Sequence, residues 1–106
     1  MEKERRSAPR ARVNLPARWE GALSRENATV TDISRNGCFV LTGGKVELRE
    51  LIWLEIRLPE QVPLAFWAEV VYDASEIGFA VRFNSSSPED EAALAKYLEG
   101  VFQGKA

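Results

Sequence analysis

Apolar side chains recur at every second position in one short segment after another of this chain, and that period excludes most folds. Val13, Leu15, Ala17 and Trp19 alternate with Asn14, Pro16, Arg18 and Glu20. Ile52, Leu54, Ile56 and Leu58 alternate with Trp53, Glu55 and Arg57, and Leu64, Phe66, Ala68, Val70 and Tyr72 repeat the pattern. In IGFAVRF, Phe79, Val81 and Phe83 share one face. A period of two is that of a strand with one side in the core. Two more strands are predicted over Ala28–Ile33, rich in β-branched Thr29, Val30 and Thr31, and over Cys38–Thr42. Pro16 places the first strand at an edge or a bulge, because proline offers no N–H to a ladder. Six short strands in 106 residues lead to an all-β fold, a six-stranded antiparallel barrel that closes its own edges.

The tail follows a different period. Ser87, Pro88, Glu89 and Asp90 supply an N-cap, a proline at the first helical position and acidic side chains at the positive end of the helix dipole. Leu94, Tyr97, Leu98, Val101 and Phe102 then fall on one helical face, so a helix over 88–102 is predicted to pack on the barrel, with 103–106 fraying. Trp53 and Trp67 each lie on the polar side of their strands. Cover by that helix is the plainer expectation; a contact surface for a second copy, giving a homodimer, or for another protein is the alternative.

A chain of this length holds one domain with one core, here assigned to 1–106 with a barrel over 12–84. No run of about 18 apolar residues is present, and MEKERRSAPR lacks the apolar centre of a secretory signal, so a cytoplasmic protein without membrane insertion is expected. The single cysteine, Cys38, sits in a strand-like run and reads as a small buried hydrophobe. The sequence has no histidine, which removes the usual general base, the serine triad and most transition-metal sites. Neither an enzyme nor a metal or cofactor is expected. A net charge of −2 argues against a binder of nucleic-acid polymers, although Arg5, Arg6, Arg10, Arg12 and Arg18 crowd the start and leave room for one local anion site.

TVTDISRNGCFV, residues 29–40, carries more polar residues than a turn needs. Asn36-Gly37 alone signals a tight hairpin, which leaves Asp32 and Ser34 to explain. Arg6-Ser-Ala-Pro-Arg10 precedes the first strand, and Asp32-Ile-Ser34-Arg-Asn-Gly37 lies between the second and third. With these two motifs, RxxxR and DxSxxG, the barrel pattern and the terminal helix, the chain from about Arg5 to Phe102 resembles the PilZ domain, the bacterial receptor for cyclic di-GMP.

The resemblance implies that Arg5, Arg6, Arg10, Asp32, Ser34 and Gly37 bind cyclic di-GMP; Arg35 and Asn36, at variable positions inside the motif, and Arg82, facing away from Phe79, Val81 and Phe83 on its strand, are candidate peripheral contacts. The residue types suit two guanines and two phosphates on a closed ring. Arginine grips phosphate bidentately, reaches the O6 and N7 edge of guanine and stacks on bases. Asp32 can accept from the N1 and N2 donors of guanine, and the Ser34 hydroxyl can donate to a phosphate or a ring substituent. Gly37, without a Cβ, permits a positive φ and a close approach of the ligand. Taken singly, Arg6 and Arg10 would read as a solvated basic arm, and Asp32 and Ser34 as turn-formers.

Residues 1–11, charged and broken by Pro9, are expected to form an arm that orders over the ligand. An arginine at position 5 implies, by the same resemblance, capture of two intercalated cyclic di-GMP molecules per chain. The downstream partner would be another protein controlling motility, attachment or exopolysaccharide production. Two rival readings are an adaptor of the same fold that works without nucleotide, and a small barrel that binds single-stranded nucleic acid.

Overall fold

The computed structural model describes residues 9–103. Six antiparallel strands, β1 (Ala11–Glu20), β2 (Arg25–Ile33), β3 (Gly37–Leu41), β4 (Leu51–Ile56), β5 (Leu64–Asp73) and β6 (Gly78–Ser85), close into a barrel in the order β1-β2-β3-β6-β5-β4. Helix α1 (Pro88–Phe102) follows. Closure pairs every strand on both sides and removes the exposed edges that a six-stranded open sheet would leave. The alternation sets which side chains fill it. Leu15, Trp19, Val30, Val40, Ile52, Leu54, Ile56, Phe66, Val70, Phe79 and Val81 all point inward and are buried. Trp19 is the largest of them; its indole meets Phe79 edge-on at 5.0 Å and its Nε1 donates to Thr42 Oγ1 at 3.1 Å.

Pro16 lies beside a register shift between Arg12 and Leu15, as its chemistry requires. Its carbonyl accepts from Arg57 N at 2.9 Å, just past the last β1–β4 pair, Ala17 with Ile56. A residue's N–H and C=O project from the same strand edge, so the missing N–H falls where the β4 ladder has already ended.

The helix starts as its sequence dictates. Ser87 Oγ accepts from Asp90 N at 3.0 Å, and Asp90 Oδ2 in turn accepts from Ala65 N at 3.1 Å, tying the first turn to the start of β5. Leu94 and Leu98 are buried against the barrel while Tyr97 and Val101 pack at its margin. Phe102, expected on the packed face, is exposed as the last residue of the helix. Residues 104–106 of the expected frayed end lie outside the described residues.

Three further expectations are corrected. β2 begins at Arg25 rather than Ala28, because its early residues pair with Ala17–Glu20 of β1 despite their polarity. Tyr72, placed inward by alternation, is 60% exposed, since a register shift between Val70 and Tyr72 inserts a bulge and turns the side chain out. The helix does not cover the tryptophan pair. Trp53 and Trp67 are direct cross-strand partners, meet edge-on at 5.1 Å on the outer wall, and leave Trp67 46% exposed.

Candidate functional site

The β2–β3 connection is built around Ser34. Its backbone N donates to Gly37 O at 2.8 Å, and its Oγ accepts from Asn36 N at 3.1 Å and Gly37 N at 3.3 Å. The hydroxyl donates to Gly37 O at 3.4 Å. Arg35 and Asn36 therefore occupy the centre of the turn, one residue earlier than the Asn-Gly signal suggests, and no residue of this turn has a positive φ. Ser34 is 1% exposed. In this structure the hydroxyl forms the turn, its oxygen satisfying backbone N–H groups that the tight turn leaves without other partners.

Gly37 does not adopt the positive φ it was expected to permit. A Cβ at this position would stand 2.1 Å from the Val81 carbonyl oxygen. The glycine is required by the approach of β6, not by a left-handed backbone. Gly78 repeats this at the other end of the β3–β6 ladder, where a Cβ would stand 2.1 Å from Val40 O.

The turn leaves Asp32 on the outer wall, and there it meets Arg10. Arg10 Nη2 and Nε donate to Asp32 Oδ1 at 2.6 and 3.2 Å, joining the second arginine of RxxxR to the acid of DxSxxG across 22 residues of sequence. Both side chains remain accessible, so ligand groups can reach them. Arg5 and Arg6 lie outside the described residues, as does most of the predicted arm.

Beside the turn, Arg82 pairs with Gly37 in register and reaches Glu69 Oε1 at 2.7 Å; Arg49 Nη1 reaches the other oxygen of Glu69 at 3.0 Å. These hydrogen bonds from Arg82 and then Arg49 hold the Glu69 carboxyl below its ordinary value of 4.5. Stability from this pairing is present above that value and is lost as pH falls through the lowered one. Urea melts between about pH 3 and 5 should therefore show a shallower acid loss in Glu69→Gln than in the parent; equal slopes would remove Glu69 from the acid response. Neither Glu69 nor Arg49 is legible as a site neighbour in the sequence, since only the β5–β6 register brings Glu69 opposite Arg82.

Arg35, Asn36 and Arg82, expected as peripheral, line a cleft of about 400 Å³ between the turn and α1, with Phe83, Glu91 and Leu94 on its other walls. Phe83 forms part of its floor, stacked on Phe66 at 4.3 Å, and its N–H donates to Asn36 O at 2.8 Å. Cys38 is fully buried, and burial, helped by the Asp32 carboxylate and opposed by Arg10, pushes its thiol far up. Among the described residues no cluster of metal-ligating side chains occurs, and no helix is long and apolar enough to cross a membrane.

The closed six-stranded barrel with one C-terminal helix carries the Arg10–Asp32 pair on its outer wall. The chain belongs to the PilZ domain family, whose profile matches residues 4–100, a family of non-catalytic cyclic di-GMP receptor domains. Its structure is similar to that of the Bacillus subtilis inhibitor of motility MotI/DgrA, with a TM-score of 0.80 and 22% identity. That match covers 96% of this chain and 53% of the other, so the chain spans about half the length of MotI/DgrA. It is also similar to the PilZ domain of CeSA from a cellulose synthesizing bacterium, with a TM-score of 0.67 and 14% identity over 88% of this chain and 97% of that one. Among curated proteins no match is found.

Proposed function

We propose that this domain binds cyclic di-GMP reversibly in a bacterial cytoplasm and relays its concentration to another protein controlling motility, attachment or exopolysaccharide production. The observation that carries this reading is the meeting of Arg10 and Asp32, 2.6 Å apart on the outer wall. It supports a shared site in which arginine grips the phosphate or the O6 and N7 edge of guanine and the carboxylate accepts from N1 and N2. Arg6 is assigned to the same site by the motif, and Arg5, the residue before it, by the family resemblance. Ser34 and Gly37 serve it by shaping the turn that presents Asp32.

Calorimetry with cyclic di-GMP is the test. Arg6→Ala, Arg10→Ala and Asp32→Ala should each bind about tenfold to a hundredfold more weakly, the range for losing a charge-assisted hydrogen bond of roughly 1.5–3 kcal/mol. The parent should take two ligands per chain, with Arg5→Leu shifting the ratio toward one, since a third guanidinium offsets the repulsion between the phosphates of an intercalated pair. A parent ratio of one removes the two-ligand reading alone; parent-like titration of all three alanine variants places the site elsewhere. The Trp53–Trp67 pair on the outer wall, with Trp67 exposed, favours a second reading, an adaptor working through protein contacts without nucleotide, which a parent that binds no cyclic di-GMP would support.

A further inference from the structure

The register of the barrel lays a strip of residues across four adjacent strands beside Asp32. Asp32 of β2 is paired with Phe39 of β3, Phe39 with Ala80 of β6, and Ala80 with Tyr72 of β5. Directly paired residues face the same side of a sheet, and here that side is the outer wall. The bulge after Val70 is what brings Tyr72 into the row. Three strand spacings of about 4.8 Å make the strip roughly 14 Å long. Its centre is a methyl group, Ala80, with a half-buried phenyl ring on one side and an exposed phenol ring on the other. A small residue between two aromatic ones leaves a shallow apolar floor with room for a flat ring.

The surroundings of that floor state what kind of flat ring. Arg10 sits on Asp32 at one end, Arg12 extends the row onto β1 as the partner of Asp32, and Arg82 lies two residues along β6 from Ala80 on the same side. Cationic guanidinium groups around an apolar floor complement a ligand that is anionic at its edges and aromatic at its face. A nucleotide has that chemistry and can compete for guanidinium groups that otherwise rest on Asp32 and Glu69, whereas an apolar protein segment offers them nothing.

Resting on the receptor reading above, we infer that Phe39, Ala80 and Tyr72 form a stacking platform for a guanine base of bound cyclic di-GMP, and that Tyr72 sets the grip on that base. Phe39 holds the base edge nearest Asp32, and Tyr72 closes the far side.

Calorimetry of Tyr72→Ala and Tyr72→Phe with cyclic di-GMP, combined with the Ala80 methyl resonance of the parent at saturation, tests the platform. Tyr72→Ala should bind about fivefold to a hundredfold more weakly, the effect of removing one base-stacking ring, while Tyr72→Phe keeps the ring and should stay within about twofold of the parent. The Ala80 methyl proton should move upfield under the ring current of the base. Tyr72 is exposed, so its truncation leaves the core intact. If the parent binds and Arg10→Ala weakens it, but Tyr72→Ala titrates like the parent or the Ala80 methyl stays still, the platform is overturned and the receptor reading stands. If Tyr72→Ala instead changes only self-association of the free chain, the strip is a contact between copies and the platform is overturned. A parent that binds no cyclic di-GMP overturns both.

Discussion

Gly37→Ala is expected to destabilise the barrel by about 3 kcal/mol or more, at the upper end of the cost of overpacking a core. The added methyl would stand 2.1 Å from the Val81 carbonyl oxygen, a backbone atom that cannot rotate away. Relief requires β3 and β6 to separate where Gly37 faces Arg82, and Asn36 O to release Phe83 N. The strand pair that holds the turn would thus be lost together with the turn. Chemical denaturation of the variant measures the loss directly. A variant as stable as the parent but deaf to cyclic di-GMP would return Gly37 to the role of a ligand contact.

Trp19→Ala should cost about 3–5 kcal/mol, the range for deleting a large buried aromatic side chain. The indole fills the barrel against Phe79, and its Nε1 supplies a hydrogen bond to the buried Thr42 hydroxyl. Gly44 marks how closely it is packed, since a Cβ there would lie 2.5 Å from the Trp19 ring. For a domain of this size the loss corresponds to a fall in melting temperature of roughly 12 °C or more. A drop of only a few degrees would mean that the barrel collapses around the void.

Local chemistry made the helix legible. Ser87, Pro88 and Asp90 act within one turn, so the cap read from four consecutive residues is the cap observed. The strands were legible because a buried face imposes a period of two wherever it occurs. Register was not. The bulge that turns Tyr72 outward has no composition of its own, and Glu69 becomes a neighbour of Arg82 only when β5 and β6 pair. The motif residues were found for their chemistry, and in the structure the described ones fall into two sets. Asp32 and Arg10 present charge at the surface, whereas Ser34 and Gly37 are buried parts of the frame. A motif marks both kinds of residue alike, since loss of the frame removes the charge it presents.

If Arg10 and Asp32 share the cyclic di-GMP site proposed above, their pair gives the free protein a way of discriminating among anions. Before any ligand arrives, each group already satisfies the other. A simple phosphate offers Arg10 an acceptor but strands Asp32 beside a second negative charge. Guanine presents acceptors at O6 and N7 and donors at N1 and N2, so it can replace both halves of the pair at once. Selectivity at the proposed site would then arise by exchange, with the resting ion pair serving as the competitor that every candidate ligand must displace.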